Sequence, residues 1–130
     1  MVPSDPGSAL STARSRPGPI GFRISATASA GLDWPMLDAT WAMAGELRAF
    51  DVGWMSDHLS DASRPAGGVA FESLTTLAAL AHRVPGLWLG VAVLSATFRH
   101  PALVAKAATV LDTVTGGRFI PGARRRLARR

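Results

Sequence analysis

Asp57 and His58 stand side by side near the middle of the chain, at the end of the run Trp54, Met55, Ser56, Asp57, His58, Leu59. An adjacent carboxylate and imidazole can hold a ligand and move a proton, because histidine titrates near neutrality and a neighbouring carboxylate fixes its protonation. The pair reads equally as a turn-capping Asp beside a surface or packing His. A second group, Ala92, Val93, Leu94, Ser95, Ala96 and Thr97, joins small residues to two hydroxyls. Small side chains leave room for a flat ring to lie against backbone, and Ser95 or Thr97 can donate hydrogen bonds to it. Taken singly, these residues also make an ordinary strand-to-helix loop.

Other chemistries find little support. The chain has no cysteine, which removes a thiolate nucleophile, a disulfide framework and a sulfur-ligated zinc, and fits a reducing cytoplasm. Neither a P-loop nor a dinucleotide-binding glycine fingerprint is found, and no His-Glu-x-x-His spacing points to a metal. His82 falls at the end of an expected helix, where a cation meets the helix dipole, and is assigned no catalysis.

The elements that must position these residues follow from periodicity and punctuation. A strand is expected at about Gly21 to Ala28, then a helix capped by Asp33 with Pro35 in its first turn and Leu37, Trp41, Ala44 and Leu47 on one apolar face. A second strand over about Asp51 to Asp57 leads through a loop holding Ser63, Arg64, Pro65, Gly67 and Gly68. The next helix buries Phe71, Leu74, Leu77, Leu80 and Ala81 and is stopped by Pro85 and Gly86. The run Leu87 to Leu94 reads as one strand, apolar on both faces. His100 and Pro101 open a third helix whose Leu103, Ala107, Val110 and Val114 recur at helical spacing. Gly116 and Gly117 end it, and Arg118 to Ile120 begins a fourth strand. Strand starts about 30 to 36 residues apart are the size of βαβ repeats. This pattern fits half of a barrel or a small doubly wound sheet, and in both the loops after the strands carry ligands. Asp57, His58 and the residues after Val91 fall on those loops.

At 130 residues the chain can hold one core, but a complete (β/α)8 barrel needs about 250. Its net charge of +5 is a property of one end. Residues 118–130 hold six of the 14 basic side chains and no acid, which leaves eight basic against nine acidic residues before them. The arginines could bind nucleic acid electrostatically, but no aromatic interleaving or recognition motif accompanies them, and a solvated terminus is the simpler reading. Residues 1–19, rich in Pro, Ser, Gly and Ala, read as a flexible extension without a signal-peptide apolar region. The longest apolar stretch, Val84 to Ala96, is broken by Pro85, Gly86, Gly90 and Ser95 and falls short of the roughly 20 residues a bilayer requires.

Four segments in order resemble the luciferase-like monooxygenase and F420-dependent oxidoreductase family. They are Phe50 to Leu59, Glu72 to Ala81, Leu89 to Ala102 with its Thr97, Phe98, Arg99, His100, Pro101 run, and Leu111 to Phe119 with its Gly116, Gly117, Arg118 turn. The resemblance implies the N-terminal half of a TIM-type (β/α)8 barrel over residues 20–121, with about four parallel strands and three helices. It implies coenzyme F420, with FMN as the alternative, and hydride transfer to or from a small organic substrate. By the same resemblance, Asp57 contacts the deazaflavin and His58 is the acid or base beside it. Ala92, Val93 and Ser95 support the ring, through a non-prolyl cis peptide between Ala92 and Val93. The family's fourth strand continues with glycines and an acid, where this chain has the basic residues 122–130. If Arg124 to Arg130 is encoded CGG CGC CGG CTG GCA CGA CGN, the next frame reads Gly-Ala-Gly-Trp-His-Asp, the family's continuation, so a shifted frame near Ile120 to Arg124 is expected. Half a barrel leaves open strand edges through which copies could associate. The competing reading is a non-catalytic α/β fragment that joins another half-barrel.

Overall fold

The computed structural model describes residues 23–25, 32–59 and 70–124. The expected extension over residues 1–19, the loop from Ser63 to Gly68 and residues 125–130 lie outside the described residues.

The chain runs β1 (Arg23–Ser25), α1 (Trp34–Leu47), β2 (Val52–Met55), α2 (Ser73–Leu80), β3 (Trp88–Val91), β4 (Leu94–Ser95), α3 (Pro101–Thr115), β5 (Phe119–Ile120) and β6 (Ala123–Arg124). Four strands form one sheet in the order β1-β2-β3-β5, and all neighbours are parallel. Val52 pairs with Trp88 and Leu89 with Phe119. A doubly wound sheet reverses its strand order at a switch point, whereas this order follows the chain without reversal. Right-handed crossovers that all advance in one direction stack their helices on one face, which is the winding of a barrel.

Local chemistry explains each helix. Asp33 is extended and its carboxylate accepts from the Met36 N–H at 3.0 Å, with Pro35 in the first turn. Glu72 caps α2 by accepting from the N–H groups of Leu74 (3.2 Å) and Thr75 (2.7 Å). His100 caps α3 through Nδ1, which accepts from Ala102 N–H at 3.2 Å. Gly116 ends α3 in the left-handed region at φ 66°, a conformation glycine adopts at little steric cost.

The core lies between the helices and one face of the sheet. Leu37 and Trp41 of α1, Leu74, Leu77 and Leu80 of α2, and Met55, Leu87, Leu89 and Val91 of the sheet pack there. Gly53 has no side chain because Trp41 lies against it: a Cβ would stand 2.3 Å from Trp41 Cζ3 and 2.7 Å from Cη2. On the opposite face the Trp54 ring covers Gly90 in the same way, 2.5 Å from where a Cβ would stand. Gly53→Ala should therefore lower stability by about 1–3 kcal/mol, the usual effect of overpacking, as read from urea unfolding.

Two expectations need correction. The run Leu87 to Leu94 is not one strand: β3 ends at Val91, Ala92 and Val93 turn, and β4 pairs with β6 instead. Ala92 N–H still donates to Met55 O (2.9 Å), whereas Leu94 N–H donates to Gly122 O (2.7 Å). The strand changes partners between these residues, and the peptide bond between Ala92 and Val93 is cis, where the resemblance places it. The link between β5 and β6 passes so close that a Cβ on Gly122 would stand 2.0 Å from Val91 O. The second correction concerns α3. Of the expected face, Leu103, Val110 and Val114 are 66%, 48% and 39% exposed. The packed stripe is Val104, Ala107, Ala108, Leu111 and Thr115. These two apolar stripes are one residue apart, about 100° around the helix, and only the second meets α2 and the sheet.

Candidate functional site

Beyond the C-terminal ends of β2 and β3, a pocket of about 480 Å³ is lined by Asp57, His58 and residues 92–98. The two groups that the sequence analysis singled out, 34 or more positions apart in the chain, thus share one mouth. Parallel pairing brings this about: Met55 stands beside Val91, and both strands release their next residues at the same edge. The volume lies within the roughly 300–1,000 Å³ usual for small-molecule sites.

The pocket has an apolar wall and a polar rim. Val93 is 50% and Phe98 43% exposed, so both offer apolar surface to a ligand. Ala92 is exposed beside Val93. The hydroxyls of Ser95 and Thr97 are 2.9 Å apart and hydrogen-bond to each other. His58 is exposed at the rim.

Asp57 is different in kind, with its side chain only 2% exposed. Arg99 Nη1 donates to Oδ2 and Nη2 to Oδ1, each at 2.7 Å. The Ser73 hydroxyl donates to Oδ1 at 2.7 Å and the Ser95 N–H to Oδ2 at 2.8 Å. Burial alone would push the Asp57 carboxyl up, but the hydrogen bonds from Arg99, Ser73 and Ser95 outweigh it and hold the group below the ordinary Asp value. Arg99 also donates to Glu72, whose carboxylate caps α2. Burial raises the Glu72 carboxyl as well, and the bonds from Thr75, Leu74 and Arg99 bring it below its usual range. The Arg99 guanidinium is raised, first by its hydrogen bond to Asp57. One guanidinium therefore fastens the end of β2, the start of α2 and the loop before α3.

Arg99, Glu72 and Ser73 were not singled out for this role from the sequence. The available signal was Asp57 itself: a carboxylate ending an apolar strand is buried only if paired. Arg99, on the neighbouring strand-end loop, is the cation within reach. His100 serves α3 as its cap, and His82 is exposed in the turn after α2. Among the described residues no group of three or more His, Asp or Glu is arranged to hold a metal ion. No described helix is long and apolar enough to cross a membrane.

A parallel sheet wound in one direction, with its site at the strand ends, is the architecture of barrel enzymes as a class. Residues 35–123 match the luciferase-like monooxygenase family, and the chain belongs to that family. It is 38% identical over 107 residues to an F420-dependent glucose-6-phosphate dehydrogenase of Nakamurella multipartita, with 82% of this chain and 31% of that protein covered. A protein of the same name from Amycolatopsis mediterranei is 33% identical over 102 residues, covering 78% of this chain and 30% of the relative. The chain thus spans about a third of the length of these curated relatives. Its fold is that of part of a coenzyme F420-dependent tetrahydromethanopterin reductase from Methanopyrus kandleri, with a TM-score of 0.63 at 24% identity, covering 80% of this chain and 26% of that one.

Proposed function

We propose that this chain carries the coenzyme-ring end of an F420-dependent oxidoreductase, with His58 as the acid or base of a hydride transfer to or from a small organic substrate. The observation that carries this reading is the meeting of His58 with the Ala92–Val93 turn around one pocket. Both dehydrogenase relatives bear F420 in their names, which favours F420 over FMN. The residues fit a flat tricyclic ring: Ala92 and Val93 offer it an exposed surface, and Ser95 and Thr97 offer hydroxyls at its edge. A bound deazaflavin would supply the hydride chemistry. The protein's share is to orient the ring, exclude water along the apolar wall of Val93 and Phe98, and hold or deliver a proton at the His58 imidazole.

Titration of purified chain against F420 fluorescence tests the reading. Saturable binding is expected, weaker with FMN; no binding at high micromolar F420 contradicts it for this polypeptide. Thr97→Val, which deletes a rim hydroxyl but little volume, should weaken F420 binding several-fold, the weight of about one hydrogen bond.

The outer edge of β5 and the exposed Leu103, Val110 and Val114 stripe on α3 favour a second reading, association with another half-barrel, a second copy included. Sedimentation equilibrium separates the cases: a concentration-dependent mass supports association, and a constant monomer mass opposes self-association.

A further inference from the structure

Among the described residues, β1 and β5 each pair on one side only, so the sheet ends in two edges whose strands run the same way. Such an edge is a template for a further strand. The helix beside the first edge carries an apolar flank, because Met36, Met43 and Leu47 of α1 are all exposed. Met36, Thr40 and Met43 each stand one position before a buried residue, Leu37, Trp41 or Ala44, and so about 100° around the helix from the core. On a helix that returns antiparallel to its strand through right-handed crossovers, a turn back by that angle points away from β2, out over the free edge of β1. The Thr40 hydroxyl donates to Met36 O at 2.7 Å, which leaves this flank without an unsatisfied hydroxyl proton. On α3 the opposite flank lies over the free edge of β5. Ala105 and Thr109, one position after the packed Val104 and Ala108, are exposed there. The Thr109 hydroxyl donates to Ala105 O at 2.9 Å, so larger apolar side chains can cover this flank without stranding a donor.

We infer that two copies of this chain close one eight-stranded ring about a two-fold axis parallel to the strands. In this ring β5 of each copy lies beside β1 of the other, and Met36, Met43 and Leu47 of one copy pack on Ala105 and Thr109 of the other. The inference rests on the association reading given above and names its occupant. A second copy fits on three counts. The longest stretch of these 130 residues outside the described ones is 1–22, shorter than the roughly 30 residues of a strand-and-helix unit, so these residues do not complete the ring themselves. The four parallel strands are half of the eight that close such a barrel. A two-fold rotation about the barrel axis preserves strand direction, so it pairs both edges in parallel and covers both helix flanks at once. The two pockets then open at the same end of the ring, since each lies beyond the C-terminal ends of β2 and β3.

The chain has no cysteine, so introduced thiols identify contacts without ambiguity. Met43→Cys and Thr109→Cys chains of full length, each alone and mixed in equal amounts, are treated with a bismaleimide spanning roughly 8–10 Å, the usual distance between packed helices. Sedimentation equilibrium is run on the same samples. The mixture should give a covalent dimer holding one chain of each kind, in far greater yield than either chain alone, and the variant carrying both cysteines should stop at a dimer. Self-pairs from either single variant, or a ladder of longer products from the double one, overturn the closed ring. A dimer mass with such self-pairs removes this arrangement and leaves association standing, whereas a constant monomer mass removes self-association altogether. Met43→Lys should raise the dissociation constant of the dimer by about tenfold or more, the weight of one buried methionine. Its circular dichroism should be unchanged, because the side chain is exposed in the single copy. Leu103→Lys, on the other flank of α3, should shift that constant by no more than about twofold, as an ordinary surface change does. The reverse pattern, with Leu103→Lys dissociating the dimer and Met43→Lys not, overturns the inference.

Discussion

Arg99→Met is expected to destabilise the chain by about 3–5 kcal/mol, the usual consequence of removing one partner from a buried ion pair. The methionine replaces most of the arginine's volume, so packing is a minor part of the effect. The larger part is the Asp57 carboxylate, left 2% exposed without its cation. Ser73 and the Ser95 N–H still donate to it, but two neutral donors offset only part of the burial cost. Glu72 suffers less, since its side chain is 35% exposed and water can replace Arg99.

The pH dependence follows from the directions already given. In the native chain Asp57 and Glu72 both sit below their ordinary values, so the fold binds fewer protons than the unfolded chain in acid. That stability is fully present above the unfolded-state values of about 4, and is lost as pH falls through the lower folded ones. Removing Arg99 removes the main downward pull on Asp57. The variant should therefore suffer most at pH 7, where Asp57 must stay charged, and least in acid, where it can be neutral. Urea unfolding at both conditions checks this; an equal deficit at both would mean that volume and not charge is responsible. Replacing both partners by apolar residues, Asp57→Leu with Arg99→Met, should recover much of the stability, because no charge remains buried.

The second large effect is expected at Trp41. This side chain is fully buried and fills the space above Gly53, where a Cβ would stand 2.3 Å from its ring. Trp41→Ala should cost about 3–5 kcal/mol through lost apolar burial and the cavity left behind. The same contact predicts coupling. Gly53→Ala clashes with the indole in the native chain, but in the Trp41→Ala background its methyl enters vacated space. Its destabilisation should shrink or change sign there, whereas strictly additive losses in urea unfolding would contradict the packing described.

Much of this fold was legible because its boundaries are local. Asp33 with Pro35, His100 with Pro101, and Gly116 with Gly117 each mark a helix end through their own backbone chemistry, whereas α2 ends at Leu80, five residues before the Pro85 and Gly86 expected to stop it. The sites of Asp57, His58 and Ser95 at strand ends followed from those boundaries. What escaped was non-local. The break between Val91 and Leu94 interrupts a run in which every side chain suits a strand, and it becomes visible only when Gly122 arrives as a new partner. The stripes Leu103, Val110, Val114 and Val104, Ala107, Leu111 are both apolar, so sequence alone could not choose which meets the sheet. Arg99 and Asp57 are 42 positions apart, and no spacing rule links them. The family resemblance supplied the barrel and the cis bond; Glu72 as a cap had no such help, being outside the residues usually favoured there.

The central claim, that this chain holds a deazaflavin ring between His58 and the Ala92–Val93 turn, is tested most directly by amide chemical-shift mapping of isotope-labelled chain titrated with F420. The expected result is saturable movement confined to the amides of Asp57, His58 and residues 92–98. Absence of movement at high micromolar coenzyme, or movement centred on another part of the surface, would contradict it.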